Sequence, residues 1–212
     1  MNQSSESVQR IQPMAKVCGI IFDMDGTLVD SRLDYDMMRL DMGLPAGSQI
    51  LEAMADEPPG ANRDRMLAAL RTHELRGADS AVIYEGVVDF LRHIDEQGIL
   101  TAILTRNSRE STERTLDRLN LSFSQVVTRE DAPPKPDPAG VQLIASRWGL
   151  PVEQIVVIGD YVFDLQAGRR AGMRSILFAP GELPHFSNEA DYILRHFNEA
   201  VDLLHLLHEN LA

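Results

Sequence analysis

Three short runs of apolar, β-prone residues stand out along the chain and predict buried strands. They cover residues 17–22, 99–104 and 155–158. Apolar residues at successive positions, without alternation, are typical of strands that are covered on both faces of a sheet. Weaker patterns of the same kind predict three further strands, over residues 124–128, 174–178 and 192–194.

Segments with apolar residues at helical spacing separate these runs. Residues 86–97 show the spacing clearly, with apolar side chains at Val87, Phe90 and Ile94. Similar patterns predict helices over residues 108–119, 138–148, 164–171 and 199–208. Because strands and helices alternate, we expect an α/β fold with a Rossmann-like parallel sheet and right-handed crossovers.

Residues 31–81 interrupt this alternation. Helical patterns cover residues 33–42, 48–55 and 63–76, and no convincing strand pattern is present in this segment. We therefore predict a small helical domain inserted after the first strand. The predicted divisions of the chain are a flexible tail over residues 1–15, an α/β core over residues 16–30 and 82–212, and the helical insertion over residues 31–81.

Composition and net charge disfavour several kinds of binding partner and location. The 212 residues carry a formal net charge of −12, which makes nucleic acid and anionic membranes poor partners for the surface as a whole. No apolar run approaches the ~20 residues of a membrane-spanning helix, and the first 15 residues lack the apolar segment of a signal peptide. The single cysteine, Cys18, excludes an intrachain disulfide. We expect a cytoplasmic protein, and the sequence does not set its number of subunits.

Two acidic residues directly follow the first predicted strand. Asp23 and Asp25 are separated by one residue and are followed by Gly26, so a turn would bring their carboxylates together. Two like charges ~4 Å apart repel by about 4 kcal/mol at an effective dielectric constant near 20. A nearby cation, or a raised pKa for one of the acids, has to offset this repulsion. The alternative interpretation is an ordinary turn with Gly26 in a left-handed conformation.

Candidate phosphate-binding groups follow further along the chain. Thr105 comes directly after the run 99–104, where a hydroxyl and backbone N–H groups suit phosphate oxygens. Arg106 and Asn107 would add donors or face solvent. Lys135 lies between prolines and is one of only two lysines, against 18 arginines. Its compact ammonium group suits a phosphoryl oxygen or a carboxylate. Taken singly, a helix-capping threonine and a solvated loop lysine explain these residues equally well.

A second pair of acids, Asp160 and Asp164, follows the run 155–158. Asp164 taken alone is explained as a helix cap. In open α/β sheets, ligands bind at the carboxyl ends of the strands, so we expect these acids to converge with the first pair and with the candidate phosphate ligands. Oxygen ligands of this kind suit Mg²⁺, which also coordinates substrate phosphates. The chain contains neither a P-loop motif nor the G-x-S-x-G motif of serine hydrolases.

These motifs, in this order, resemble those of the haloacid dehalogenase-like superfamily. Residues 22–31 resemble the first motif, Thr105 the second, Lys135 the third and residues 159–164 the fourth. The resemblance covers about residues 17–181. Within the superfamily, the chain resembles the phosphoglycolate phosphatases of subfamily I, which carry a helical (type C1) cap. Residues 31–81 would then be the cap domain that closes over the site.

The resemblance implies a role for each residue at the reacting phosphate. Asp23 would be the nucleophile and form an aspartyl-phosphate. Asp25 would protonate the leaving oxygen and then deprotonate the hydrolytic water. Thr105 and Lys135 would hold the phosphoryl oxygens, with Arg106 as a further phosphate ligand.

The resemblance also implies a magnesium site. Asp23, the backbone carbonyl of Asp25, and Asp160 would bind Mg²⁺, while Asp164 would act from the outer shell. Tyr161 departs from the pattern, because many members carry a small residue there. We expect this departure to change the wall of the site without abolishing activity.

Several other activities are less compatible with the sequence. Dehalogenases lack the second acid of the first motif, which is present as Asp25, and phosphonatases need a cap lysine, which is absent between Lys16 and Lys135. A phosphomutase of the β-phosphoglucomutase type shares every core motif and stays open as an alternative. The complete set of motifs disfavours a receiver-like signalling module or a non-catalytic interaction protein. The expected partner is a small-molecule phosphate ester, with phosphoglycolate and sugar phosphates both compatible.

Overall fold

Six parallel strands form the central sheet of the protein, in a computed structural model that describes residues 16–209. The predicted tail over residues 1–15 lies outside the described residues. The described residues also form a separate sheet of two strands, β2 and β3. In chain order, the strands of both sheets are β1 (Gly19–Phe22), β2 (Val29–Asp30), β3 (Val82–Ile83), β4 (Leu100–Leu104), β5 (Gln125–Val127), β6 (Ile155–Gly159), β7 (Arg174–Phe178) and β8 (Tyr192–Leu194). The order across the sheet is β5-β4-β1-β6-β7-β8, and every neighbouring pair in it is parallel.

Helices cover both faces of this sheet. In chain order, they are α1 (Tyr35–Met42), α2 (Ile50–Asp56), α3 (Ala61–Ser80), α4 (Val87–Glu96), α5 (Arg109–Leu119), α6 (Ala139–Trp148), α7 (Val162–Arg170) and α8 (Ala200–Glu209). Three short 3₁₀ turns lie at Val152–Gln154, Ser187–Glu189 and Phe197–Glu199. Of the described helices, none is long and apolar enough to cross a membrane.

The apolar run of β1 is buried because each face of the strand meets a helical layer. Phe22 contributes to the cluster on the α4 and α8 side, where its ring lies edge-on to Phe90 at 6.3 Å between centroids. Ile21 points to the opposite face and joins a cluster that includes Ile144 of α6. Both faces are therefore apolar, which explains the continuous pattern and confirms the predicted Rossmann-like α/β fold.

The helical segment between β2 and β3 comprises α1, α2 and α3 and has an apolar cluster of its own. That cluster contains Met38, Met42, Met54, Met66 and Leu70. β2 and β3 pair antiparallel at the two ends of the segment. With two residues each, these strands are too short for a periodic pattern to predict. The division of the chain at residues 31 and 81 stays a prediction.

The longest helix, α3, is fastened to α5 of the core by ion pairs. Arg71 forms a two-point contact with Glu110, at 2.7 and 2.5 Å, and Arg114 forms another with Asp79, at 2.6 and 2.8 Å. Arg118 of α5 donates to backbone carbonyls at the end of α3. These contacts join α3 to α5 beside the carboxyl edge of the sheet.

Candidate active site

The carboxyl edge of the three central strands carries the predicted reactive residues. β1 lies between β4 and β6, and these strands are followed directly by Asp23, Thr105 and Asp160. The Asp23 backbone N–H donates to the carbonyl of Ile158 at 2.9 Å, which continues the pairing of β1 with β6 past the end of the strand. The parallel register therefore places these three side chains next to one another.

Lys135 reaches this edge from the loop before α6 and is 3% exposed. Its Nζ donates to Oδ1 of Asp23 and to Oδ1 of Asp164, both at 2.5 Å. Burial lowers the pKa of Lys135, but the charges of Asp164 and Asp23 outweigh this effect and raise it above the usual lysine value. The ammonium group therefore stays charged and cross-links the first and fourth motifs.

Asp23, the candidate nucleophile, is surrounded by charged side chains. Burial raises the pKa of Asp23 well above its usual value, the positive charge of Lys135 opposes this rise, and the charges of Asp164 and Asp160 add to it. Asp23 is only 8% exposed. One ammonium group faces three carboxylates here, so the edge carries an excess of negative charge.

This excess fits a divalent cation. Single oxygen atoms of Asp23, Asp160 and Asp164 lie within 4.8 Å of one another. Burial, followed by the charge of Asp164, raises the pKa of Asp160 to about 7, and the positive charge of Lys135 offsets this rise only in part. Carboxylate oxygens are the ligands that hard divalent ions prefer. The residues present are therefore suited to hold such an ion.

Two glycines make room for these carboxylates. A Cβ at Gly26, whose φ is +84°, would lie 2.3 Å from Oδ2 of Asp160, and a Cβ at Gly159 would lie 2.2 Å from Cγ of Asp164. Real Cβ atoms do not approach other atoms this closely. Both positions therefore require glycine, and Gly26 requires it for its backbone conformation as well.

Asp25 lines the same cavity as Asp23. Burial raises its pKa, and hydrogen bonds from Ser31 and Asn107 offset this only in part. The Asn107 side-chain amide donates to Oδ2 of Asp25. From the sequence, Asn107 was expected either to add a donor at this strand end or to face solvent, and the structure shows it as a donor to Asp25.

Thr105 has the burial and orientation of a ligand-binding hydroxyl. It is 3% exposed, its N–H donates to the Val127 carbonyl at 3.0 Å, and its Oγ1 accepts from the Asn107 N–H at 3.1 Å. The hydroxyl lines the same cavity as Asp23 and Lys135. Thr105 and Lys135, from the second and third motifs, therefore face the same cavity as Asp23.

Arg106 makes contacts different from the expected one to phosphate. Both oxygens of Glu52, on α2, accept from its Nη2 at 2.8 Å, and its Nη1 donates to the carbonyl of Lys135. The guanidinium group also lies 4.8 Å from the ring centre of Phe163. Arg106 thus bridges the helical segment and the core. Glu52 was not predicted as part of the site, because its partner Arg106 lies 54 positions further along the chain.

A cavity of about 280 Å³ opens above the carboxylates, between the sheet edge and the helical segment. Side chains of α1, α2 and α3 form its upper wall, and the loop after β6 forms another side. Tyr161, the departure noted in the sequence, is half-exposed in this loop, with its ring 5.0 Å from that of Phe163 and 5.5 Å from that of Phe186. Tyr161 and Phe163 therefore form an aromatic wall on this side of the cavity.

Comparison with known proteins identifies relatives of this chain. Over 166 residues it is 27% identical to a haloacid dehalogenase-like hydrolase domain-containing protein of Arabidopsis thaliana, covering 73% of this chain and 67% of that protein. It is 29% identical over 188 residues to the phosphoglycolate phosphatase of Pseudomonas putida, covering 74% and 67%. The crystal structure of a hydrolase from Pseudomonas syringae has the same fold, with a TM-score of 0.74 and 21% identity over 91% of this chain and 99% of that one.

The family of haloacid dehalogenase-like hydrolases matches residues 19–172. This span runs from the start of β1 past the end of α7 and so includes all four predicted motifs. The chain belongs to the haloacid dehalogenase-like hydrolase family.

Proposed function

We propose that this protein is a Mg²⁺-dependent phosphatase that hydrolyses a small-molecule phosphate monoester through an aspartyl-phosphate. The observation that carries the proposal is the buried Asp23 carboxylate, held by Lys135 at 2.5 Å beside Asp160. Phosphoryl transfer needs alignment and neutralisation of charge more than it needs other covalent chemistry. The phosphatase names of the curated relatives support the same class of reaction.

Asp23 is assigned as the nucleophile. Its Oδ1 accepts from Lys135, and we assign its other oxygen, Oδ2, to the attack on phosphorus. A bond forms between Oδ2 and phosphorus while the bond from phosphorus to the ester oxygen breaks. Lys135 holds the carboxylate in one orientation during this step, because a second bond to Asp164 fixes the ammonium group itself.

Asp25 is assigned as the general acid and base. Its raised pKa favours the protonated carboxyl, which donates its proton to the departing ester oxygen. The resulting carboxylate then takes a proton from water as the water oxygen attacks phosphorus. The bond between phosphorus and Asp23 breaks, inorganic phosphate leaves, and Asp25 is again protonated. Asn107 positions the carboxyl group through its side-chain amide.

The phosphoryl oxygens are assigned to the Thr105 hydroxyl and the Lys135 ammonium group. Both groups are buried and line the cavity with Asp23. Arg106 is assigned elsewhere, because its guanidinium group already binds Glu52 and the Lys135 carbonyl. Its role is to join the helical segment to the core.

Asp23, Asp160 and the backbone carbonyl of Asp25 are assigned to hold Mg²⁺. When bound, Mg²⁺ would supply the positive charge that phosphoryl oxygens need in the transition state. Asp164 is assigned to the outer shell, where it binds Lys135 at 2.5 Å and accepts from the Tyr161 N–H at 3.1 Å. These bonds keep Asp164 directed toward the lysine.

A phosphomutase of the β-phosphoglucomutase type is the alternative, since it would use the same core groups. It differs in the acceptor of the phosphoryl group, which would be a sugar hydroxyl in place of water. A sugar phosphate that is isomerised without release of inorganic phosphate would favour this alternative. Release of stoichiometric phosphate would favour the phosphatase.

The test is release of phosphate from an aryl phosphate, measured with Mg²⁺, with EDTA, and for the Asp23→Asn variant. We expect metal-dependent release that Asp23→Asn abolishes, because the amide is a poor nucleophile. Asp95→Asn, an exposed acid on α4, is the matched control and should retain wild-type activity. Full activity of Asp23→Asn would remove the assignment of the nucleophile.

A further inference from the structure

The side of the cavity that the helical segment and the loop after β6 form is lined mainly by apolar and aromatic side chains. They include Tyr35, Met38, Ile50, Leu51, Leu70 and Phe163. The whole cavity, including the part beside the reacting groups, has a volume of about 280 Å³, which exceeds the ~150 Å³ of a cavity that accommodates benzene. The leaving alcohol of a phosphate ester would lie against this surface when its phosphate lies beside Asp23.

The first cation of this surface, Arg106, is already neutralised. Glu52 accepts two hydrogen bonds from it at 2.8 Å, the carbonyl of Lys135 accepts another, and the Phe163 ring covers one face. Its side chain is 22% exposed and that of Glu52 is 39% exposed, so the pair is partly shielded from water. A second anionic group on a substrate would have to displace Glu52 or lie next to its charge.

The second cation, Arg39, is also occupied. Its Nη1 binds Oδ1 of Asp36 at 2.8 Å and its Nε donates to the Ser48 carbonyl at 2.8 Å, with 21% of the side chain exposed. These bonds fasten α1 to the turn before α2. Arg39 therefore serves the structure of the helical segment.

The remaining charged side chain on the upper wall is an acid. Glu74 of α3 is 5% exposed and binds Arg129 through both oxygens, and it also accepts from the Ser108 hydroxyl at 2.7 Å. The positive charge of Arg129, a residue of the core, therefore compensates the negative charge of Glu74. Among the described residues that line the cavity, each cation above the sheet edge thus has a carboxylate partner.

From this arrangement we infer that the protein selects phosphate monoesters whose leaving alcohol is uncharged and largely apolar, and that it rejects esters with a second acidic group. The inference rests on the proposed phosphatase function and adds its substrate class. Phosphoglycolate, the substrate in the name of several relatives, carries such a second group. Its carboxylate would lose water on entering the cavity without gaining an unpaired cation, which makes binding unfavourable.

Three aryl phosphates of similar shape test the inference with the wild-type protein and Mg²⁺. They are phenyl phosphate, 4-(hydroxymethyl)phenyl phosphate and 4-carboxyphenyl phosphate. Their phenols have similar acidity, so differences in kcat/KM report the cavity and not the leaving group. We expect kcat/KM to be at least tenfold lower for the carboxylated ester, and phosphoglycolate to be hydrolysed as poorly.

Glu52→Gln tests the cause of the selectivity. The amide keeps the size of the side chain but frees the charge of Arg106, so the penalty against 4-carboxyphenyl phosphate should fall about tenfold. Glu96→Gln removes the same charge from an exposed position on α4 and should leave the ratio unchanged. Melting curves of both variants confirm that they are folded.

The outcomes separate the inference from the function on which it rests. Hydrolysis of none of the esters would overturn the proposed phosphatase and the inference with it. Hydrolysis with equal or greater kcat/KM for 4-carboxyphenyl phosphate or phosphoglycolate would overturn the inference alone. An unchanged ratio in Glu52→Gln would remove the Arg106–Glu52 pair as the cause of selectivity.

Discussion

The carboxylate of Asp160 packs directly against the α-carbon of Gly26, so that a Cβ at position 26 would lie 2.3 Å from Oδ2. This contact joins the turn after β1 to the end of β6. It fixes the distance between the first acidic pair and Asp160, which together surround the proposed metal position. The turn and the carboxylate therefore depend on each other.

Gly26→Ala should lower the free energy of unfolding by about 2–3 kcal/mol, because the added methyl group overpacks the site. Mg²⁺ binding should weaken at the same time, since Asp160 is displaced. Gly98→Ala is the control: its φ is also positive, at +68°, but a Cβ there would meet nothing within 4 Å. It should cost only the ~1 kcal/mol of backbone strain. Urea unfolding of both variants measures these losses in stability. Equal losses in the two variants would show that the contact with Asp160 does not affect stability.

In the metal-free protein, Asp160→Asn should raise the free energy of unfolding, and this gain should grow as pH rises. The folded state raises the pKa of Asp160 from 3.8 to about 7, so the stability that this carboxyl contributes is fully present below pH 3.8 and is lost as pH rises through 7. Asparagine does not ionise and escapes this loss. Because one pKa unit corresponds to about 1.4 kcal/mol, we expect a gain of about 1–3 kcal/mol at pH 8 and little gain near pH 4.

Thermal unfolding in EDTA across this pH range measures the effect of Asp160→Asn. Added Mg²⁺ should reverse the order of stability, since the wild-type carboxylate binds the ion and the amide binds it weakly. A variant that is less stable than wild type at pH 8 in EDTA would contradict the excess of negative charge at this edge.

Lys135→Met should be strongly destabilising and inactive. The substitution removes the ammonium group that Asp23 and Asp164 share at 2.5 Å, and leaves buried carboxylates without their cation. Breaking such a buried pair costs about 3–5 kcal/mol. Lys16→Met is the control, because Lys16 is the other lysine of the chain and is exposed. Calorimetry should show a large fall in Tm for the first variant and little change for the second.

Arg129→Met should be far more damaging than Arg71→Met, although each breaks an ion pair between α3 and the core. Glu74, the partner of Arg129, has a side chain that is 3% exposed, whereas the side chains of Arg71 and Glu110 are 62% and 51% exposed. An uncompensated buried carboxylate costs about 3 kcal/mol or more. The exposed pair is screened by water and salt, so its loss should change stability little. Equal changes in chemical denaturation would contradict this ranking.

Much of the fold could be predicted from local patterns. The six strands of the main sheet were each expected within a few residues of their observed bounds. The patterns of β1 and β6 are continuously apolar because both faces of these strands are buried, whereas the partly exposed edge strands β5 and β8 have weaker patterns. Helix α3 extends from Ala61 to Ser80, beyond the predicted 63–76. Near its C-terminal end, Asp79 forms an ion pair with Arg114 of α5, and no apolar pattern records such a contact. The β2–β3 pair was not predicted, since two residues a strand show no period.

The sequence by itself determined the alternation of strands and helices and the residue types at the strand ends, because burial and backbone geometry act over a few neighbouring residues. Only the tertiary structure decided which side chains meet. Lys135 binds Asp23 across 112 positions and Arg106 binds Glu52 across 54. Such pairs depend on how the layers pack, and an arginine that could bind phosphate has the same local sequence as one that is held by a carboxylate.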